Sequence, residues 1–417
     1  PMHTARFTYE KTKKALLWMS LSNEPFVVLY ALIPFIIRKE LGVSLLQLSL
    51  LASLRPVLSI FSFYWSANLT VQRHRLRHNL ISAWLFARLP FLFVPWIESS
   101  WYLIFCCAGY ELLNKSGNPA LMEILKTNLE KEKREKIYTL CFVLGFLEGI
   151  LLGFLIGNLL NQQFFPWQGL FAITAIISLS SIFVQIQIPL PPIQPIRPPN
   201  RSSLIVTILS PWQEAFSLLK MNPDFLRFQY GFMIGGIGLM LATPSLSLFC
   251  VDYLHLTHQK ITVGRSILMG LGVSGSSYLW RRMLSQQNAD QLLSNILIGF
   301  SLYLTCLYLA VFHLYFFYIA HILYGLSQAG SHLLWNLSGP LFSGHEESSQ
   351  YSRVNILMVG LRGAIAPAVG GALCSLLGPA PIILISAAIC LTGAFYMFKT
   401  KKTIATNDRH QDLRPDH

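Results

Sequence analysis

Charge is what this chain has least of. Asp, Glu, Lys and Arg together make up 12% of its 417 residues, while 53% are hydrophobic. A soluble domain carries about 25% charged residues, and one this apolar would expose large sticky patches. Acid is scarcer than base, with 19 acidic against 32 basic residues and a formal net charge of +13. No basic stripe coincides with a soluble module, so that charge does not point to nucleic acid. The apolar runs lack the alternation of a membrane barrel. The seven cysteines fall almost entirely within apolar runs and show no ligand spacing, which argues against a disulfide framework or a metal site. There is no phosphate-binding glycine loop with its lysine, no nucleophile elbow and no zinc spacing. An ATP-driven pump, an enzyme and a bound cofactor are therefore not expected. No small-residue cleavage site follows the polar N-terminus, so the first span is expected to double as the insertion signal.

What remains is a series of apolar runs, each near the 20 residues that cross a bilayer. They predict twelve spans, at 15–37, 46–65, 79–96, 101–122, 137–160, 167–188, 225–250, 263–280, 293–312, 316–337, 354–377 and 381–398. Lysine and arginine set their direction. With the N-terminus in the cytoplasm, the cytoplasmic segments hold Lys11, Lys13, Lys14, Arg73, Arg75, Arg77, Lys126, Lys131, Lys133, Arg134, Lys136, Arg227, Arg281, Arg282 and Arg353, among others. The outer loops hold little beyond Arg38, Lys39, Lys260 and Arg265. Basic loops stay inside, so both termini are expected in the cytoplasm, at the inner membrane of the cell.

The longest break is 189–224. It opens with a proline-rich, extended stretch and continues with 211–220, which suits a short amphipathic helix at the interface. The predicted organisation is a cytoplasmic segment 1–14, a six-helix bundle 15–188, a linker 189–224, a second bundle 225–398 and a tail 399–417. The halves echo each other. Aligning Gly149 with Gly363 sets Glu148 opposite Arg362, Gly153 opposite Pro367 and Gly157 opposite Gly371. Internal repeats around a central linker are a common transporter design.

Six plus six spans, a basic central loop, cytoplasmic ends and a glycine-rich fifth helix resemble the major facilitator superfamily over essentially the whole chain. That family's loop between helices 2 and 3 carries a glycine, an aspartate and then a basic run. Here Asn68 stands where the aspartate would be, the glycine is missing, and the basic part is Arg73-His74-Arg75. The glycine ladder of helix 5 is similar to the antiporter motif of drug exporters but lacks its Gly-Pro ending. The resemblance implies an all-α fold of two pseudo-symmetric six-helix bundles. It also implies that helices 1, 2, 4, 5, 7, 8, 10 and 11 line the cavity.

Ionisable residues at bilayer depth are costly, and each is a functional candidate. All but one lie on helices that the resemblance places at the cavity. Glu24 precedes Pro25 in helix 1, and Arg55 precedes Pro56 in helix 2. Each suits either a solute group or a salt bridge between helices. Glu111 and Lys115 share a face of helix 4 and either neutralise each other or part around a solute. Glu148 and Arg362 either hold a zwitterion, with Glu148 accepting a coupling proton, or lock the halves together. Gln328 and His332 share a face of helix 10. Arg88, on helix 3, is the exception. The helix 5 glycines are expected to allow close helix packing.

The function expected is a secondary active transporter for a small solute, proton-coupled, monomeric and in contact with membrane lipids. The membrane-embedded charges, four basic and three acidic, lean toward solutes bearing a negative group. A receptor or assembly factor on the same scaffold, and a channel, are the competing readings.

Overall fold

The computed structural model describes residues 2–69, 75–162, 165–190, 203–286, 288–343 and 348–411. Arg73, His74 and the proline-rich stretch 191–202 lie outside the described residues, as do the side chains of Lys115 and Asn118. Helices account for all the regular structure among the described residues. This is the expected outcome in lipid, where every backbone polar group must be satisfied within its own segment.

The chain folds into two compact units. Unit 1 comprises Pro1–Arg201 together with His255–Ile267; unit 2 comprises Ser202–Leu254 and Leu268–His417. Unit 1 holds α1 (Met2–Ala31), α2 (Ile33–Leu41), α3 (Leu45–Leu69), α4 (Leu76–Arg88), α5 (Ser100–Asn128), α6 (Lys131–Asn161), α7 (Trp167–Leu179) and α8 (Ile182–Gln185). Unit 2 holds α9 (Leu204–Met221) and α10 (Pro223–Leu248). After α11 (His258–Thr262), which belongs to unit 1, unit 2 resumes with α12 (Met269–Gln286), α13 (Ala289–Leu309), α14 (Tyr315–Ser343), α15 (Ser348–Leu377) and α16 (Pro379–Gln411).

Each predicted span has a helical counterpart, but several are broken for local reasons. The first divides into α1 and α2 with a 48° bend, Pro34 standing in the first turn of α2. Gly42 then caps α2 in the left-handed conformation, at φ 61°. The third span ends its α-helix at Arg88 and runs on as a 3-10 turn, Leu89–Phe93, because Pro90 cannot continue the ladder. The sixth breaks at Ser180 and Ser181, whose hydroxyls bond back to the carbonyls of Ile177 and Ser178. Six described helices are long and apolar enough to cross a membrane, or seven counting the bent pair α1–α2. The amphipathic linker helix is longer than expected, starting at Leu204. Leu204, Ile205, Val206 and Ile208 are exposed, while Ala215, Leu218 and Leu219 are buried.

Polarity is partly inverted relative to a soluble protein. Leu151, Phe183, Tyr278, Leu376 and Phe395 face outward. Small polar groups tie helices together inside. In unit 2, Ser294 donates to the Ala394 carbonyl and Ser301 to the Ala387 carbonyl, both at 2.9 Å, stitching α13 to α16. Where α12 crosses α14, a methyl group on Gly325 would sit 2.0 Å from the Met269 carbonyl oxygen. Only glycine permits that approach, as is common between membrane helices.

Candidate functional site

In unit 1 the glycine ladder of α6 has two partners. Toward the middle of the helix it receives Glu24. A methyl group added to Gly149 would lie 3.1 Å from Glu24 Oε1, and one on Gly145 would lie 3.8 Å from Oε2. Higher up, Gly153 faces Ser266 and Ile267, and Gly157 faces Gln259 and Thr262. Both are close enough that a side chain would force the neighbour to move. The ladder thus serves helix packing at one end and gives a carboxylate room at the other.

Glu148 lies beside Gly149, within electrostatic reach of Glu24. Its Oε2 is buried without a hydrogen-bond partner. The two carboxylates come from α1 and α6, helices that pack directly on each other. Arg55 is exposed on α3. Among the described residues it forms no ion pair with Glu24.

Glu111 is only 6% exposed. Its partner is Tyr30 of α1, whose hydroxyl donates to Oε1 at 3.0 Å. Tyr30 in turn packs on Tyr110 at 4.5 Å between ring centres, and Phe26 joins Tyr110 at 5.1 Å and Phe91 at 4.9 Å. The Lys115 side chain, the partner expected from helical spacing, is outside the described residues.

Arg88 is wholly buried. Its guanidinium stacks on Trp84, 3.5 Å from the ring centre. Nε and Nη2 donate to Asn23 Oδ1 at 3.2 and 3.0 Å, and Nη1 donates to the Trp84 carbonyl. Ser178 donates to the same Asn23 oxygen at 2.8 Å, while Trp84 Nε1 donates to the Ser178 carbonyl. This closed ring joins α1, α4 and α7. Nothing in the sequence singles out Asn23, because an asparagine next to a glutamate and a proline reads as part of the helix break.

In unit 2, Arg362 is 9% exposed. Nη1 donates to the Phe232 carbonyl at 2.7 Å, and the guanidinium lies over the Phe232 ring at 4.5 Å. Its flat face rests on Gly236, where a methyl group would come within 2.0 Å of the guanidinium carbon. Nε is buried without a partner. Arg362 is therefore engaged with α10 inside its own unit, and Glu148 belongs to the other unit. Gln328 and His332 do meet, one turn apart on α14, with Nε2 atoms 3.0 Å apart.

Two polar networks of unit 2 escaped the sequence reading. Gln229 donates to Asn355, and Asn355 donates to Ser338 at 2.7 Å, linking α10, α15 and α14. Arg227 reaches Asp290 at 2.7 Å and Asp224 at 3.1 Å, joining the start of α10 to the start of α13. Asp224 at i−3 was visible as a helical neighbour; Asp290, 63 residues away, was not.

Solved structures with this fold include several transporters. The crystal structure of a mutant of the nucleoside transporter NupG matches with a TM-score of 0.74 at 12% identity, covering 93% of this chain and 99% of that one. A bacterial homolog to the human lysosomal transporter Spinster matches at 0.66 and 13% identity, over 96% and 98%. A POT family transporter in complex with 5-aminolevulinic acid matches at 0.73 and 10%, over 94% and 96%. A comparison with curated protein sequences gives no match. The family model of the Major Facilitator Superfamily matches residues 19–361. This multi-pass membrane protein, a transporter and not an enzyme, belongs to the major facilitator superfamily.

Proposed function

We propose that the chain is a proton-coupled secondary transporter of the inner membrane, moving a small solute by alternating access with both termini in the cytoplasm. The observation that carries this reading is the Glu24–Glu148 pair. Two carboxylates at bilayer depth, one with an oxygen that has no donor, call for a positive charge between them. A proton held by the pair supplies it, and the solute binds and crosses with that proton in place, which couples the two fluxes. Proton load on one face and solute release on the other then follow the rocking expected of this fold.

The remaining charges refine the solute. Arg88 commits its donors to Asn23 and the Trp84 carbonyl, and Arg362 commits Nη1 to the Phe232 carbonyl and its guanidinium face to the Phe232 ring, which supports helix-holding roles for both. Arg55, exposed on α3, stays available for an anionic group. That balance moves the reading away from purely anionic cargo, toward a zwitterion or an amine. Gln328 and His332 add hydrogen-bonding groups on α14. The protein works as a monomer, with lipid around the exposed apolar faces.

The test is transport by purified protein in proteoliposomes with a pH-sensitive dye trapped inside. Panels of amino acids, dipeptides, nucleosides and polyamines are added outside under an inward proton gradient. A solute that acidifies the lumen only when protein is present, and that exchanges in counterflow, supports the reading. Solute binding without counterflow would favour a receptor on the same scaffold.

A further inference from the structure

The chain passes between its two units on either side of His255–Ile267, and both passages are irregular. The helix before the first ends in a π-helical turn, Phe249–Tyr253; the helix after the second begins in another, Val263–Leu268. His255, between them, has φ 50°, a left-handed conformation that a residue with a side chain seldom adopts. Such π-turns are rare and concentrate where proteins move or bind. The stretch they bracket comes from the second half of the sequence, yet it packs within unit 1.

Its fastening is specific. His258 is 4% exposed, and its Nε2 lies 2.7 Å from Glu40 Oε1 at the end of α2. Lys39 Nζ donates to the Leu256 carbonyl at 3.0 Å. Asn161, at the end of α6, exchanges two hydrogen bonds with Gln259. Gly157 and Gly153 let the segment approach the α6 backbone, and Arg265 lies over the Phe35 ring. By the charge asymmetry of the loops, this is the face turned away from the cytoplasm.

We propose that His255–Ile267 is a clasp, fastened to the outer ends of α2 and α6 through the His258–Glu40 pair and released when His258 takes up a proton from the outside. The charged groups facing His258 are Glu40 and Lys39, both from α2. Asn161 and Gly157 from α6 bring no charge, and Lys260 and Arg265 are carried by the clasp itself. Burial holds the imidazole below its ordinary value; Glu40 opposes this through its hydrogen bond, and Lys39 adds to it. A docked group with a lowered value binds its proton better once released. The docked state is thus held above the ordinary imidazole range, about pH 6.5, and weakens as the pH falls below it. This extends the transport reading to a second proton site, buried when docked.

Hydrogen exchange read by mass spectrometry tests the clasp without reference to any solute. Full-length wild type, His258→Gln and Glu40→Gln are compared in lipid nanodiscs at pH 7.5, 6.5 and 5.5, with rates corrected for intrinsic exchange. In wild type, amides 257–262 should exchange faster on acidification, by up to about tenfold per pH unit, the limit for one proton. His258→Gln should keep a donor and lose the pH step. Glu40→Gln should already exchange faster than wild type at pH 7.5. A flat wild-type profile, the same step in His258→Gln, or wild-type protection in Glu40→Gln at pH 7.5 would each overturn the proposal. Failure of the transport assay leaves these readings independent.

Discussion

Replacing Gly236 with alanine should loosen unit 2 where α10 meets α15. The added carbon would lie 2.0 Å from the Arg362 guanidinium carbon, well inside contact distance. The guanidinium has to leave, and with it go the 2.7 Å bond to the Phe232 carbonyl and the stacking on that ring. A hydrogen bond from a charged donor contributes about 1.5–3 kcal/mol, and overpacking a core costs about 1–3 kcal/mol. Together they give an expected loss of roughly 2–5 kcal/mol, taking the ranges as partly overlapping. At about 2–4 °C per kcal/mol for a unit of this size, the melting temperature in detergent should fall by roughly 4–20 °C. Arg362→Met separates the causes. A buried charge without a counter-ion is expensive to keep, so a flexible apolar side chain of similar length should cost little or stabilise. In the double variant the clash partner is gone, and most of the Gly236→Ala loss should be recovered. An unchanged melting temperature for Gly236→Ala, or full additivity in the double variant, would refute this account of Arg362.

Other substitutions test other links. Asn23→Ala removes the acceptor shared by Arg88 and Ser178, and should cost about 1.5–3 kcal/mol, the range for a hydrogen bond from a charged donor; thermal unfolding checks it. Tyr30→Phe leaves the buried Glu111 oxygen without its donor and should cost about 1–3 kcal/mol, read by thermal unfolding. Gly157→Leu would press on the Gln259 backbone, 3.3 Å from the position of its first carbon. It should expose amides 257–262 to exchange even at pH 7.5 without lowering the stability of unit 2.

The spans were legible because lipid imposes one rule, about 20 apolar residues per crossing, and few local effects override it. Their breaks were less so. Pro90 in the third span was visible, whereas the Ser180–Ser181 interruption depends on hydroxyls bonding back to the helix. The glycines of α6 were readable as contact positions, but nothing in their spacing says that two of them face Glu24 and two face a segment more than 100 residues later. Charged residues stood out because they are rare in apolar runs. Their partners did not stand out: Tyr30 and Asn23 are ordinary helical residues until tertiary packing sets them against Glu111 and Arg88. The same holds for Glu40 and His258, 218 residues apart.

Proton coupling through the carboxylates of unit 1 stands or falls on one comparison. Wild type and Glu148→Gln are reconstituted side by side with a trapped pH dye and given a solute that wild type exchanges in counterflow. Glu148→Gln should retain counterflow and lose solute-linked lumen acidification. Acidification at the wild-type rate in Glu148→Gln, with counterflow intact, would contradict it.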